Sequence, residues 1–361
     1  MPLAPLVGHE STRSRLSDAI ASDRLPQVLL LTGSRGVGRQ RLGLWIAQSL
    51  FCERRSGEPC GTCRSCRLVL ELGHPDLHWF IPIPRPKAGD PDKQVEEAAE
   101  TLAEVMAERR KAPLWPTPDG MASHGVASAR LLQRRLAMRP VEGNRMVCLI
   151  GGAERLVPQE SSPEAANALL KLLEEPAPGT TLILTAEDAG GVLPTIRSRA
   201  VPVRLGRLDD EVVRAFLRTH TDLPPAEVDE RARRAEGSIG DALAEDGSAA
   251  KAAEAASGLL QAIARGPEHA YEAALRQGPW QARGEFTQML DALARSLGDA
   301  ARVASGSPPR RAVPPPLRTP RSVAEILRAL ERVQAARQAA QGNVNPQLLL
   351  AGLCHDLAEV A

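Results

Sequence analysis

Two stretches of the chain carry residue types at spacings that could do chemistry. The first is Gly33-Ser34-Arg35-Gly36-Val37-Gly38-Arg39-Gln40, which follows the apolar run Val28–Thr32. It opens into a helical pattern that includes Leu42, Leu44, Ile46, Ala47 and Leu50. Strand, glycine-rich loop and helix are the setting of a phosphate-binding loop, whose template is G-x-x-x-x-G-K-[ST]. There, backbone N–H groups at the helix N-terminus surround the phosphates, the lysine reaches the terminal ones and the hydroxyl holds Mg²⁺. Gly33, Gly36 and Gly38 could keep the backbone part. Arg39 replaces the lysine with a wide planar cation, and Gln40 replaces the hydroxyl with an amide on a longer stem.

A nucleotide-hydrolysing site also needs acidic residues after another core strand, to hold the metal and activate water. The candidate strand is Met146–Ile150, and Gly151-Gly152-Ala153-Glu154 follow it. Two glycines stand where paired acids are expected, and Glu154 reads as a surface charge further along. Two parts of the machinery are missing together. The loop therefore reads as degenerate, a phosphate-loop fold that binds nucleotide weakly or not at all.

The second stretch is Cys52-x₇-Cys60-x₂-Cys63-x₂-Cys66, four of the six cysteines. Tetrahedral Zn²⁺ takes four thiolates at about 2.3 Å, and Gly57, Pro59 and Gly61 supply the turns. A redox pair is a poorer reading, because four closed ligands leave no open position. The expected role is structural, tying the helix end at Phe51 to the next helix. Cys148, inside an apolar strand, reads as core, and Cys354 and His355 as packing and surface. A zinc-based DNA-binding module is a weaker reading, since Arg64 and Arg67 are few and interleaved aromatics are absent.

Elements must position these residues. The 361 residues suffice for two or three domains, and 43% hydrophobic with 25% charged residues fits a packed protein. Only 2% are aromatic, so aliphatic and alanine-rich helices supply the core. The net charge of +1 gives no global argument for nucleic-acid binding. No membrane-length apolar run and no signal-like start are present, so a cytoplasmic location and no membrane partner are expected.

Along the chain, a helix is expected over 6–24 with its start near Gly8-His9-Glu10-Ser11, then the strand, loop and helix to about Phe51, and a strand over 77–81. Residues 82–122 look like a proline-bounded insertion around an amphipathic helix, whose stripe Val95, Ala98, Leu102 and Met106 is read as packing on its own domain, a partner-binding helix being the weaker reading. Helix over 128–138, strand over 146–150, helix over 163–175, strand over 181–185 and strand over 200–203 follow. This alternation implies an α/β domain with a parallel sheet covered on both faces. Strand signals stop near Arg207, and helices fill the rest. A proline- and arginine-rich loop, Ser307 to Pro320, reads as mobile. The expected domains are 1–206, 207–248 and 249–361.

Asn167-Ala168-Leu169-Leu170-Lys171-Leu172-Leu173-Glu174-Glu175-Pro176 resembles a segment shared by bacterial clamp-loader subunits. Thr195-Ile196-Arg197-Ser198-Arg199-Ala200 is similar to their Ser-Arg-Cys motif. Gly8-His9, the glycine loop and the four cysteines follow the same order, so the resemblance covers roughly residues 6–245.

It implies an AAA+ fold: a Rossmann-like domain carrying a zinc module, a small helical lid and a helical collar that assembles the complex. The implied partners are gamma/tau and delta subunits, and through the complex the sliding clamp and primed DNA. In that family the gamma/tau branch hydrolyses ATP, and the delta-prime branch is a stator within the polymerase holoenzyme. The departures at Arg39, Gln40, Gly151 and Gly152 fit the delta-prime branch. So does Gly240, which stands where ATP-binding members carry a sensor arginine. By the same resemblance Arg199, beside Ser198, is an arginine finger for a neighbouring subunit's ATP site. Ala200 replaces the motif's cysteine, and Thr185 resembles a sensor of the γ-phosphate. The alternative is a divergent gamma/tau-type ATPase in which Arg39 still serves.

Overall fold

Five apolar runs become strands: β1 (Val28–Thr32), β2 (Leu77–Phe80), β3 (Met146–Gly151), β4 (Thr180–Ala186) and β5 (Val201–Arg204). They pair in parallel in the order β2-β3-β4-β1-β5. The computed structural model describes residues 3–4, 6–111, 122–156, 170–244, 246–278, 284–340 and 344–358. β1, β3 and β4 are buried at every position, which is why they read as continuous apolar runs without alternation. Leu30 lies beside Leu184, and Leu149 beside Ile183. Because all strands run one way, the loops after β1, β3 and β4 emerge at a common edge of the sheet.

Helix α1 (Glu10–Ala21) starts within the expected window of Gly8 to Ser11. Gly8 and His9 have φ of 71° and 57°, and such residues cannot extend a right-handed helix upstream. In α2 (Arg39–Phe51) every residue from Leu42 to Leu50 is buried, so it is a central helix rather than a surface one. Gly43 lets it approach the sheet, since a Cβ there would lie 2.6 Å from Leu149 Cδ1. Next come α3 (Arg64–Leu70), α4 (Pro91–Arg109), α5 (Val126–Leu136) and α6 (Pro194–Arg197).

The insertion closes on itself through an antiparallel bridge between Ile83 and Ser123. Asp90 caps α4, and Pro91 takes its first position. Val95, Ala98 and Leu102 are buried and Met106 packs against the same core, as the stripe predicts. Residues 170–174 are helical; the rest of the helix expected over 163–175, with Asn167, lies outside the described residues.

The chain divides into Met1–Leu243 and Ala244–Ala361. Within the first unit, α7 (Asp210–His220), α8 (Pro225–Ala235) and α9 (Ile239–Leu243) bury a small cluster of their own around Val213, Leu217, Val228 and Ala232. The second unit is helical: α10 (Asp246–Arg265), α11 (Pro267–Arg276), α12 (Glu285–Ala304), α13 (Val323–Ala339) and α14 (Pro346–Leu357). Cys354 is buried in its core.

The loop from Ser307 to Pro320 is tied down, against the expectation of mobility. The buried Asp299 carboxylate accepts from the Arg310 N–H at 2.6 Å and pairs with Arg311 at 3.3 Å. Leu317 is buried as well.

Candidate functional site: a closed phosphate loop and a four-cysteine cluster

The loop after β1 keeps the backbone of a phosphate loop. Gly33, Gly36 and Gly38 all have positive φ, at 154°, 74° and 103°, a conformation open to glycine and rarely to other residues. The His9 Nε2–H donates to the Val37 carbonyl at 2.8 Å, fixing the loop from α1's entry. The loop's outer turn is covered by the start of α9. The Gly240 N–H donates to the Gly36 carbonyl at 3.0 Å, and Ser238 Oγ donates to the Arg35 carbonyl at 3.1 Å. A Cβ on Gly240 would lie 2.6 Å from Gly36 Cα. Gly240 is therefore a contact residue, and no side chain could start there without moving the loop.

The two residues that replace the lysine and the hydroxyl are both engaged by the chain itself. Arg39 lies 3.8 Å from Glu187, just past β4. Gln40 Oε1 accepts from Arg109 Nη1 at 3.1 Å. Arg109 ends α4, is buried, and lies over the Trp79 ring at 4.6 Å. Burial lowers its pKa to about 10, which leaves it charged at neutral pH.

At the end of β3, the Gly151 carbonyl accepts from His124 Nε2 at 2.8 Å. Burial pushes the His124 pKa down to about 4, so its imidazole is neutral. Glu154 is half-buried rather than a surface charge, which corrects the expectation. Ala153–Leu156 form a 3₁₀ turn that turns it inward, and its Oε2 is buried with no hydrogen-bond partner. Desolvation raises its pKa, with Glu187 adding to the effect and Arg39 opposing it. Thr185 is buried at the end of β4, opposite Gly151 and Leu31 in the sheet.

Arg199 lies outside this edge cluster, on the surface after α6. Its Nη1 donates to the Thr195 carbonyl at 2.7 Å and to Ser198 Oγ at 3.3 Å, and Nη2 pairs with Glu174 at 2.5 Å. The neighbouring Arg197 turns to the Ala189 carbonyl at 3.3 Å. Ala200 is buried, where a small residue fits.

Cys52, Cys60, Cys63 and Cys66 converge, with all four Sγ atoms within 4.8 Å of one another. Backbone N–H groups point at the sulfurs: Cys60 to Cys52 at 3.4 Å, Cys63 to Cys60 at 3.3 Å and Cys66 to Cys63 at 3.4 Å. The Cys63 N–H, with the Thr62 hydroxyl and N–H, lowers the Cys60 pKa to about 5, whereas burial pushes the Cys66 thiol up. Donor type, number and separation fit a tetrahedral zinc ion.

The sequence pattern singled out the glycine loop, the cysteines and Arg199. It missed Glu187, His124 and Arg109, and the pairing of Glu174 with Arg199. Arg109 alone had a signal: it continues the stripe of Val95, Ala98, Leu102 and Met106, so helical periodicity places a cation on the buried face.

A parallel sheet whose first strand feeds a glycine loop and a central helix defines a phosphate-loop α/β protein, here with Arg39 beside Glu187 and Gln40 held by Arg109. Residues 8–209, more than half of the chain, match the family model described as DNA polymerase III, delta subunit, and the chain belongs to that family, the delta-prime group of clamp-loader subunits. It is 27% identical over 210 residues to the DNA polymerase III subunit delta-prime of Bacillus subtilis, covering 57% of this chain and 51% of that protein. To the subunit tau of Escherichia coli it is 28% identical over 246 residues, 66% of this chain and 32% of that protein. The chain thus spans about half the length of the delta-prime relative and a third of tau. Among solved structures, a gamma subunit-related protein from Thermotoga maritima is 17% identical, covers 97% of this chain and 99% of its own, and has a TM-score of 0.36.

Proposed function

We propose that the chain is a delta-prime-type stator of a DNA polymerase III clamp loader, of AAA+ architecture, with no ATP turnover of its own. The observation that carries this reading is the closed loop: Gly240 on Gly36, Arg39 at Glu187 and Gln40 at Arg109. A loop whose replaced residues are engaged within the chain serves as scaffold. The region 1–206 is then the Rossmann-like domain, 207–248 the lid and 249–361 the collar. Its partners are gamma/tau and delta subunits, and through the complex the sliding clamp and primed DNA. The four cysteines hold a structural zinc ion.

The chemistry it contributes is Arg199, offered in trans to a neighbouring ATPase subunit. A guanidinium there stabilises charge on the transferring phosphoryl group. The Glu174 pairing and the Ser198 contact hold Arg199 at the surface of the single chain, and both are exposed enough to exchange for a phosphate.

The test is reconstitution with gamma/tau and delta subunits. The chain alone is expected to turn over no ATP, and adding it should restore clamp loading. Arg199→Ala is expected to assemble normally and to slow hydrolysis at the one site it faces by about 10³-fold or more. Turnover by the isolated chain would instead identify a gamma/tau-type ATPase, and unchanged hydrolysis in the Arg199→Ala complex would remove the finger.

A further inference from the structure

Three departures from a working phosphate loop meet at one point. Gln40 stands where a hydroxyl would hold Mg²⁺, and Gly151 where an acid would hold it from the next strand. Arg109 arrives there from the insertion, 69 residues beyond Gln40. Its Nη1 is 3.1 Å from Gln40 Oε1, and the residue is 5% exposed. On the far side of the same amide, Gln40 Nε2 lies 2.9 Å from where a Cβ on Gly151 would be. No side chain fits at 151 while Gln40 keeps this pose. The amide fills the space between glycine and guanidinium, and these residues do not fit a magnesium ion.

We propose that Arg109 is a built-in cation that takes the place of the metal ion, with Gln40 and Gly151 shaped to it. The chain therefore refuses magnesium nucleotide even where the backbone cradle survives. A buried guanidinium and a divalent ion repel at this range in a medium that screens poorly. The loss of the hydroxyl and the loss of the acid are then a single change with one cause. The insertion gains a role as well, since its buried stripe of Val95, Ala98 and Leu102 anchors the helix that delivers Arg109. The inference rests on the non-hydrolysing reading of the chain, and it can fail separately from that reading.

The test uses the full chain and a fluorescent ADP analogue, with magnesium or with chelator. One variant restores the motif through Arg39→Lys, Gln40→Thr and Gly151→Asp while keeping Arg109; the other adds Arg109→Met. The wild type and the first variant are expected to show no magnesium-dependent binding. The second is expected to bind at least about tenfold more tightly than the first, and only with magnesium. Equal binding by the two variants, or none by either, would overturn the role of Arg109.

A thermal-melting cycle of Gln40→Leu, Arg109→Met and their combination decides the matter should the multiple variants not fold. The double variant should melt close to the worse single one, and strictly additive shifts would sink the proposal. ATP turnover by the wild type would overturn the non-hydrolysing reading, whichever way the variants behave.

Discussion

His124 illustrates what burial does to a single titratable side chain. It is neutral in the fold because desolvation lowers its pKa from 6.5 to about 4. His78 on β2 is shifted the same way, to about 4. The unfolded chain therefore takes up protons that the folded chain refuses. The stability each group supports is complete above about pH 6.5 and is lost as the pH falls towards 4. For His124 the loss is on the order of 3 kcal/mol. We expect denaturation curves to show a falling midpoint across this window, and His124→Gln to flatten the fall while keeping a donor for the Gly151 carbonyl. An unchanged slope in the variant would place the acid sensitivity elsewhere.

The cysteines make a second residue-scale prediction. Elemental analysis should find about one zinc per chain, as four thiolates closing on one ion require. Cys60→Ser should lose that zinc and melt earlier. The loss is expected to stay local, because Gln48 of α2 also holds the Cys66 carbonyl at 3.0 Å. A variant that keeps its zinc would exclude Cys60 as a ligand.

At the scale of elements, most of the fold was legible because its signals are local. Apolar runs marked the strands to within a residue or two, and the spacing of Gly33, Gly36 and Gly38 marked the loop between β1 and α2. What was not legible depends on chain segments meeting across the fold. No local pattern joins Gln40 to Arg109 or Gly36 to Gly240, and the turn that points Glu154 inward depends on Gly152 and the sheet edge. Proline content suggested a mobile loop at 307–320, but Asp299, near the end of the helix that leads into it, is buried and anchors it, and composition alone does not show that pairing.

The contact between loop and α9 is itself testable. Gly240→Ala puts a methyl 2.6 Å from Gly36 Cα, against backbone that cannot swing aside. A loss of about 1–3 kcal/mol is expected in urea denaturation. A neutral effect would show that α9 lifts easily from the loop, and would weaken the case that Gly240 closes it.

At the scale of the molecule, the division of roles follows the division of cores. The glycine loop, the four clustered cysteines and Arg199 all lie in Met1–Leu243, whereas Ala244–Ala361 carries none of them. The second unit has its own apolar cluster, running from Ala252 through Leu290 and Val333 to Leu357. Its capping is also internal, with the Ser322–Glu325 box at the start of α13 and Asn345 capping α14. A unit whose core and caps are closed within itself should not need the sheet domain in order to fold. Residues 244–361 expressed alone are therefore expected to give a helical circular-dichroism spectrum and a cooperative melt. If this unit is the collar, the fragment should also compete with the full chain for gamma/tau and delta subunits during assembly. A fragment that folds and does not compete would move the assembly surface to the first unit, and one that fails to fold would show that the two cores depend on each other.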